Sequence, residues 1–169
     1  MLNNQSKKAG QISAEQLWQF SLQLYPQVKS LCLQWQDELG ANVNLLLLLC
    51  YLEQQQLSLS ASELQQLAAK LDNFSAQFTR PLRTLRQNSA AAPLLPAQQQ
   101  TLKQALLQAE LELEKLEQQL LLQHCPPLTA GSTSLLKLYL AQLNADIDAV
   151  AIQILDLRQA CKRLNQHSS

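Results

Sequence analysis

A chain of 169 residues is long enough to bury a core without metals or disulfides, and its 13 Lys plus Arg balance its 13 Asp plus Glu. Balanced charge argues against a protein that grips nucleic acid through phosphates, which calls for a positive excess. Leucine and glutamine dominate while valine and isoleucine are few, so a sheet protein is disfavoured and an all-α fold is expected.

Residues Met1 to Ser13 carry Lys7 and Lys8 with no apolar stretch behind them, which does not read as a secretory leader. Ser13 with Gln16 forms a capping-box signature and opens a first helix through about Tyr25. Pro26 suits the first turn of a second helix, ended by Gly40. Asn42 caps a third, from Asn44 to about Gln56, whose Leu45–Leu49 run is apolar all round and so belongs in the middle of a core. The apolar run Val43–Leu52 is about half the length of a membrane span, so no membrane is expected and the location expected is cytoplasmic. Ser60 and Glu63 form a second capping box opening a fourth helix. At Pro81 that helix either kinks or restarts with Thr79 as its cap.

Residues 88–97, with Pro93 and Pro96 among small side chains, read as a linker between an N-terminal multi-helix core (13–88) and a C-terminal unit (97–165). Leu102, Leu106, Ala109, Leu113, Leu116 and Leu120 recur at steps of four and three, as do Leu136 to Leu164 after a Pro-Pro connection. This coiled-coil-like pattern predicts a long antiparallel helical hairpin. Leu107, Leu111, Leu135 and Ile152 lie off its seam, so the surplus has to dock on the core, a second copy or another protein.

No Gly-rich phosphate loop, nucleophile elbow, zinc-protease motif or Glu-x-x-His pair is present, so no catalytic residue, metal or cofactor is assigned. The two histidines are His124, at a helix end, and His167, in the tail. Cys32, Cys50, Cys125 and Cys161 lack zinc or redox spacing, and Cys32, Cys50 and Cys161, on apolar helical faces, read as core thiols in a reducing compartment. Asp146 and Asp148, like Glu110, Glu112, Glu114 and Glu117, read as solvated helix faces. Gln34, Asp37, Asn42 and Asn44 make a polar patch around Gly40, in which Asn44 adjoins the most apolar helix.

The main candidate site is Arg80, Arg83 and Arg86, three residues apart with no acidic residue between Asp72 and Glu110. Such forks bind carboxylates or phosphates, of a ligand or of a partner. The competing role is structural pairing with Asp37 or Glu38. Trp18, Trp35, Tyr51 and Asn44 are the candidate lining of a pocket beside them.

Leu17-Trp18-x-Phe20-Ser21-Leu22 with Tyr25, Cys32-Leu33-Gln34 with Asp37, Gly40-x-x-Val43-Asn44-Leu45-Leu46-Leu47, and Pro81-Leu82-Arg83 with Leu85-Arg86 form a distinctive combination. In these motifs the segment 13–90 resembles an uncharacterised bacterial family, a domain of unknown function seen mainly in gammaproteobacteria. The resemblance implies a bacterial cytoplasmic protein and supplies no activity. The residues themselves lead to a non-enzymatic interaction or adaptor protein, binding another protein or itself through the hairpin. The alternative is a small anionic-ligand-binding protein or enzyme with its pocket among the N-terminal helices.

Overall fold

The computed structural model describes residues 12–166, so the sequence features at Lys7, Lys8 and His167 lie outside the described residues. The Ser13 box forms as expected: its hydroxyl accepts from Gln16 N–H at 3.0 Å, and Gln16 Oε1 accepts from Ser13 N–H at 3.2 Å. The helix it opens, α1, runs unbroken over Ala14–Leu39 with Pro26 inside it, in place of the two helices expected. Proline removes one backbone donor there. Leu17, Phe20, Leu24, Val28, Cys32 and Trp35 nevertheless form one continuous buried stripe across it, and that packing outweighs the lost bond. Gly40 ends α1 in the left-handed region at φ 72°, where a side chain would be strained.

Helix α2 spans Val43–Gln54 and is capped by Asn42, whose Oδ1 accepts from Leu45 N–H at 3.1 Å. Asn44, Leu45 to Cys50 and Leu52 are all buried. Helices α1, α5, α6 and α7 all pack on it. A two-residue ladder joins β1 (Leu57–Ser58) to β2 (Thr129–Ala130), antiparallel with Leu57 opposite Ala130. All other regular secondary structure among the described residues is helical.

The Ser60–Glu63 box opens α3, Ala61–Phe74. Its end passes through a π-helical turn at Ser75–Thr79 into α4, Arg80–Ser89, with Pro81 in the first turn. The chain therefore continues through Pro81, and Thr79 caps nothing: it is fully buried and its hydroxyl has no protein partner.

After the 90–95 connection, α5 covers Pro96–His124 and folds back along α4, packing also on α1, α2 and α3. The second half of the predicted hairpin is broken. Helix α6 is Leu135–Gln142 and α7 is Ile147–Gln166, separated by Asn144 at φ 61°. Asp146 accepts from the N–H groups of Asp148 at 3.1 Å and Ala149 at 3.4 Å, so it caps α7 and does not flank a seam. Helix α6 packs on α2 and α3, and α7 on α1 and α2. The long two-helix seam does not form, because the apolar surplus is used against the N-terminal helices. Leu121, Leu135, Leu136, Leu140, Ile154 and Leu157 are all buried in the same core as Leu17 and Leu45.

Glu53 holds this arrangement from within. Its carboxylate accepts from Arg158 Nε at 2.9 Å and from Leu136 N–H at 3.1 Å, while Arg158 also donates to Ser134 Oγ. One side chain of α2 thereby satisfies the start of α6 and a cation of α7. Cys32, Cys50 and Cys161 are buried free thiols, and burial pushes the Cys32 thiol up to about 12. No described helix is long and apolar enough to cross a membrane.

Candidate functional site

A cleft of about 670 Å³ lies between α1, α4 and α5, with the first turns of α2 on its inner side. Three glutamates of α5, Glu110, Glu114 and Glu117, step by four and three residues and so share one helix face. All three line the cleft, as does Gln118. The charged outer face expected of them is corrected here: Glu110, Glu117 and Gln118 are 7%, 2% and 2% exposed.

At the α4 side, Glu110 is clasped by two arginines. Arg83 Nε donates to Glu110 Oε1 at 3.1 Å, and Arg86 Nε donates to Oε2 at 2.5 Å. Burial alone would raise this carboxyl; the hydrogen bonds and charges of Arg86 and Arg83 outweigh it and hold the group below its ordinary value. Arg80 instead binds Asp72, through its side-chain oxygen at 2.8 Å and its backbone carbonyl at 3.0 Å, in an exposed pair of little energetic weight. The partners expected from sequence, Asp37 and Glu38, are therefore replaced by Asp72 and Glu110. The reason is geometric: folding α5 back along α4 delivers the next acidic residue of the chain to the arginines.

The inner wall is a closed chain of polar side chains. Gln118 Nε2 donates to Ser21 Oγ at 2.8 Å and to Asn44 Oδ1 at 3.1 Å. Asn44 Nδ2 donates to Glu117 Oε2 at 2.7 Å and to the Glu114 carbonyl at 3.4 Å. Ser21 passes its own proton to the Leu17 carbonyl at 2.8 Å. Two enclosed acceptors remain without a protein partner, Glu117 Oε1 and Gln118 Oε1.

Glu114 sits between the clasp and this network. Burial, then repulsion from Glu110, pushes its carboxyl up to about 7, with Arg83 working the other way and Glu117 adding to the rise. Tyr25, opposite on α1, has its phenol raised by burial first, so it stays protonated and is an O–H donor to the cleft.

The cleft collects Arg80, Arg83, Arg86, Trp18 and Asn44 from the sequence-predicted residues. Trp18 stands at its edge with Lys115 Nζ 5.3 Å from the ring. Trp35 and Tyr51 are elsewhere. Trp35 is seventeen residues after Trp18 on one helix, roughly 100° round it, and its indole donates to Gln153 Oε1 on α7 at 3.1 Å. Tyr51 is about 10 Å further along α2 than Asn44 and packs edge-on to Phe20 at 5.1 Å.

DUF2390, described as a protein of unknown function, matches residues 16–121. The chain belongs to this family. That agrees with the resemblance carried by residues 13–90 and extends it through most of α5. Every residue lining the cleft, from Trp18 to Gln118, falls inside the DUF2390 match, whereas α6 and α7 fall outside it. No curated protein and no solved structure matches the chain. The residues that sequence reasoning missed are Glu110, Glu114, Glu117 and Gln118. Their one available signal was the i, i+4, i+7 spacing of three carboxylates downstream of an arginine row without local counter-charges.

Proposed function

We propose that the protein binds a small polar ligand in the cleft between α1, α4 and α5. The observation that carries this reading is a cavity of about 670 Å³ within the range of about 300–1,000 Å³ usual for small-molecule sites. It is walled by an ordered set of buried polar groups where close-packed leucine would otherwise be found. Arg83 lines the cleft and gives Glu110 one hydrogen bond through Nε, and no described residue accepts from its terminal N–H groups. They suit an anionic group of the ligand, such as a carboxylate or a phosphate. A bacterial cytoplasmic setting is in keeping with free, core-buried thiols.

An adaptor role drew its support from unspent apolar stripes, and those of α6 and α7 are largely used in the chain's own core, whereas that of α5 joins it only at Leu120–Leu122. Leu102, Leu107 and Leu116 on α5 and Ile152 and Leu155 on α7 remain exposed and carry what is left of that reading. Sedimentation equilibrium reporting a stable dimer would favour it.

The test is a thermal-shift screen of the purified protein against small organic acids, amines and amino acids. Stabilising compounds are then re-measured against Trp18→Ala and Arg83→Ala. Stabilisation that both variants lose supports the cleft. Hits that survive unchanged in both place the ligand somewhere else.

A further inference from the structure

Resting on the ligand reading above, the chemistry of the inner wall assigns one end of the ligand. We propose that Glu114, Glu117 and the side-chain carbonyl of Gln118 form a cation subsite, which takes an ammonium or guanidinium group.

Counting donors and acceptors leads there. Asn44 Nδ2 is committed to Glu117 Oε2 and the Glu114 carbonyl, and Gln118 Nε2 to Ser21 and Asn44. The N–H donors of the two wall amides are thus directed at wall acceptors, while Glu117 Oε1 and Gln118 Oε1 are buried with none. No hydrogen bond reaches the Glu114 carboxylate from the described residues. Acceptors without donors on three residues of one cleft wall match an ammonium, which has three N–H bonds and accepts none. An anion placed there would face carboxylate and carbonyl oxygens only.

Charge gives the same answer. From α4 and the end of α3, Arg83 and Arg86 are bound to Glu110, and Arg80 to Asp72. From α1, Tyr25, Lys29 and Asp37 line the same cleft, with Tyr25 protonated and Lys29 exposed. On α5, Lys115 lies over Trp18. Glu114 and Glu117 are therefore left as inward carboxylates with no ion pair in the described structure, a state that a bound cation relieves. With Arg83 on the same cleft, bound to Glu110 one helical turn from Glu114, the subsite favours a ligand positive at one end and negative at the other.

The test uses three linear probes of similar length on the full-length protein: pentylamine, pentanoate and 5-aminopentanoate. Binding is read from the indole N–H resonance of Trp18, assigned with Trp18→Phe, at about pH 6 and about pH 8. Pentylamine and 5-aminopentanoate are expected to bind at millimolar levels. Both should bind about tenfold tighter at the higher pH, because a carboxyl that titrates near 7 has to ionise to receive them. Glu114→Gln should remove this pH dependence and weaken both amines about tenfold or more, and Glu117→Gln provides a second variant should the first not fold. Pentanoate binding as well as pentylamine, with amine affinity level across pH, would overturn the cation subsite and leave the cleft reading standing. A Trp18 signal unmoved by all three probes would overturn both.

Discussion

Asn44 on α2 and Glu117 on α5 meet through a 2.7 Å hydrogen bond between two buried side chains. The bond ties the most apolar helix of the molecule to the most acidic face of another, and the Gln118 amide leans on the same Asn44 oxygen. Replacing Asn44 with alanine strips one donor from a buried carboxylate and one acceptor from a buried amide. A loss of about 2–4 kcal/mol is expected, measured as the shift of the urea unfolding midpoint. A shift near zero would mean that the polar wall adds no stability.

The clasp on Glu110 predicts behaviour in acid. Its folded-state pKa lies below the ordinary 4.5. Its contribution is therefore present above that value and lost as pH falls through the depressed one. Glu110→Gln should cost about 1–3 kcal/mol at neutral pH and converge on the wild type in acid. Chemical denaturation across the pH range from acid to neutral checks both limbs.

Glu114 has the opposite sign. Its folded-state value is raised to about 7 from 4.5. The protonated form is the one folding favours, with its benefit complete below the unfolded value and lost as pH rises through about 7. Glu114→Gln should therefore stabilise the ligand-free protein by about 2 kcal/mol at alkaline pH and leave it unchanged below the unfolded value of 4.5. Melting temperatures of the two proteins that run parallel from acid to alkaline pH would contradict this.

Tyr139, which does not itself line the cleft, provides a check on its support. Its hydroxyl oxygen accepts from the Asn42 N–H at 2.9 Å, linking α6 to the capping residue of α2, and burial raises its phenol. Tyr139→Phe leaves that backbone N–H without its partner and should cost about 1–2 kcal/mol. Faster hydrogen exchange at Asn42 in the variant would locate the loss.

Much of the helical order was legible because the signals for it are local. A Ser three residues before a Gln or Glu, an Asn before a leucine run and a Gly after an amphipathic stretch each act within one helical turn, as at Ser13, Ser60, Asn42 and Gly40. What lay beyond a turn was harder to read. The heptad-like leucines of 136–164 repeat identically whether they face a partner helix or a layered core, so their period could not name their neighbour. The break between α6 and α7 rests on Asn144 in a left-handed conformation, with no glycine to flag it. In α1, Pro26 pointed to a boundary that the buried stripe on both sides overrode. The site was half legible for the same reason. Three arginines without local acids announced a need for distant carboxylates, but a row of Glu on a helix looks alike in water and in a cleft. Only the fold-back of α5 distinguishes them.

The all-round burial of α2 also dictates an order of events while the chain is being made. Its leucines emerge from the ribosome well before Leu136, Leu140, Ile154 and Leu157, which share their core from α6 and α7. For that interval the nascent chain displays a bare leucine rod, an attractive target for holdase chaperones and for other unfinished copies. Helix α7 thus acts as a closing latch on α2, and slow translation between α2 and residue 154 would be felt as aggregation of the newborn protein.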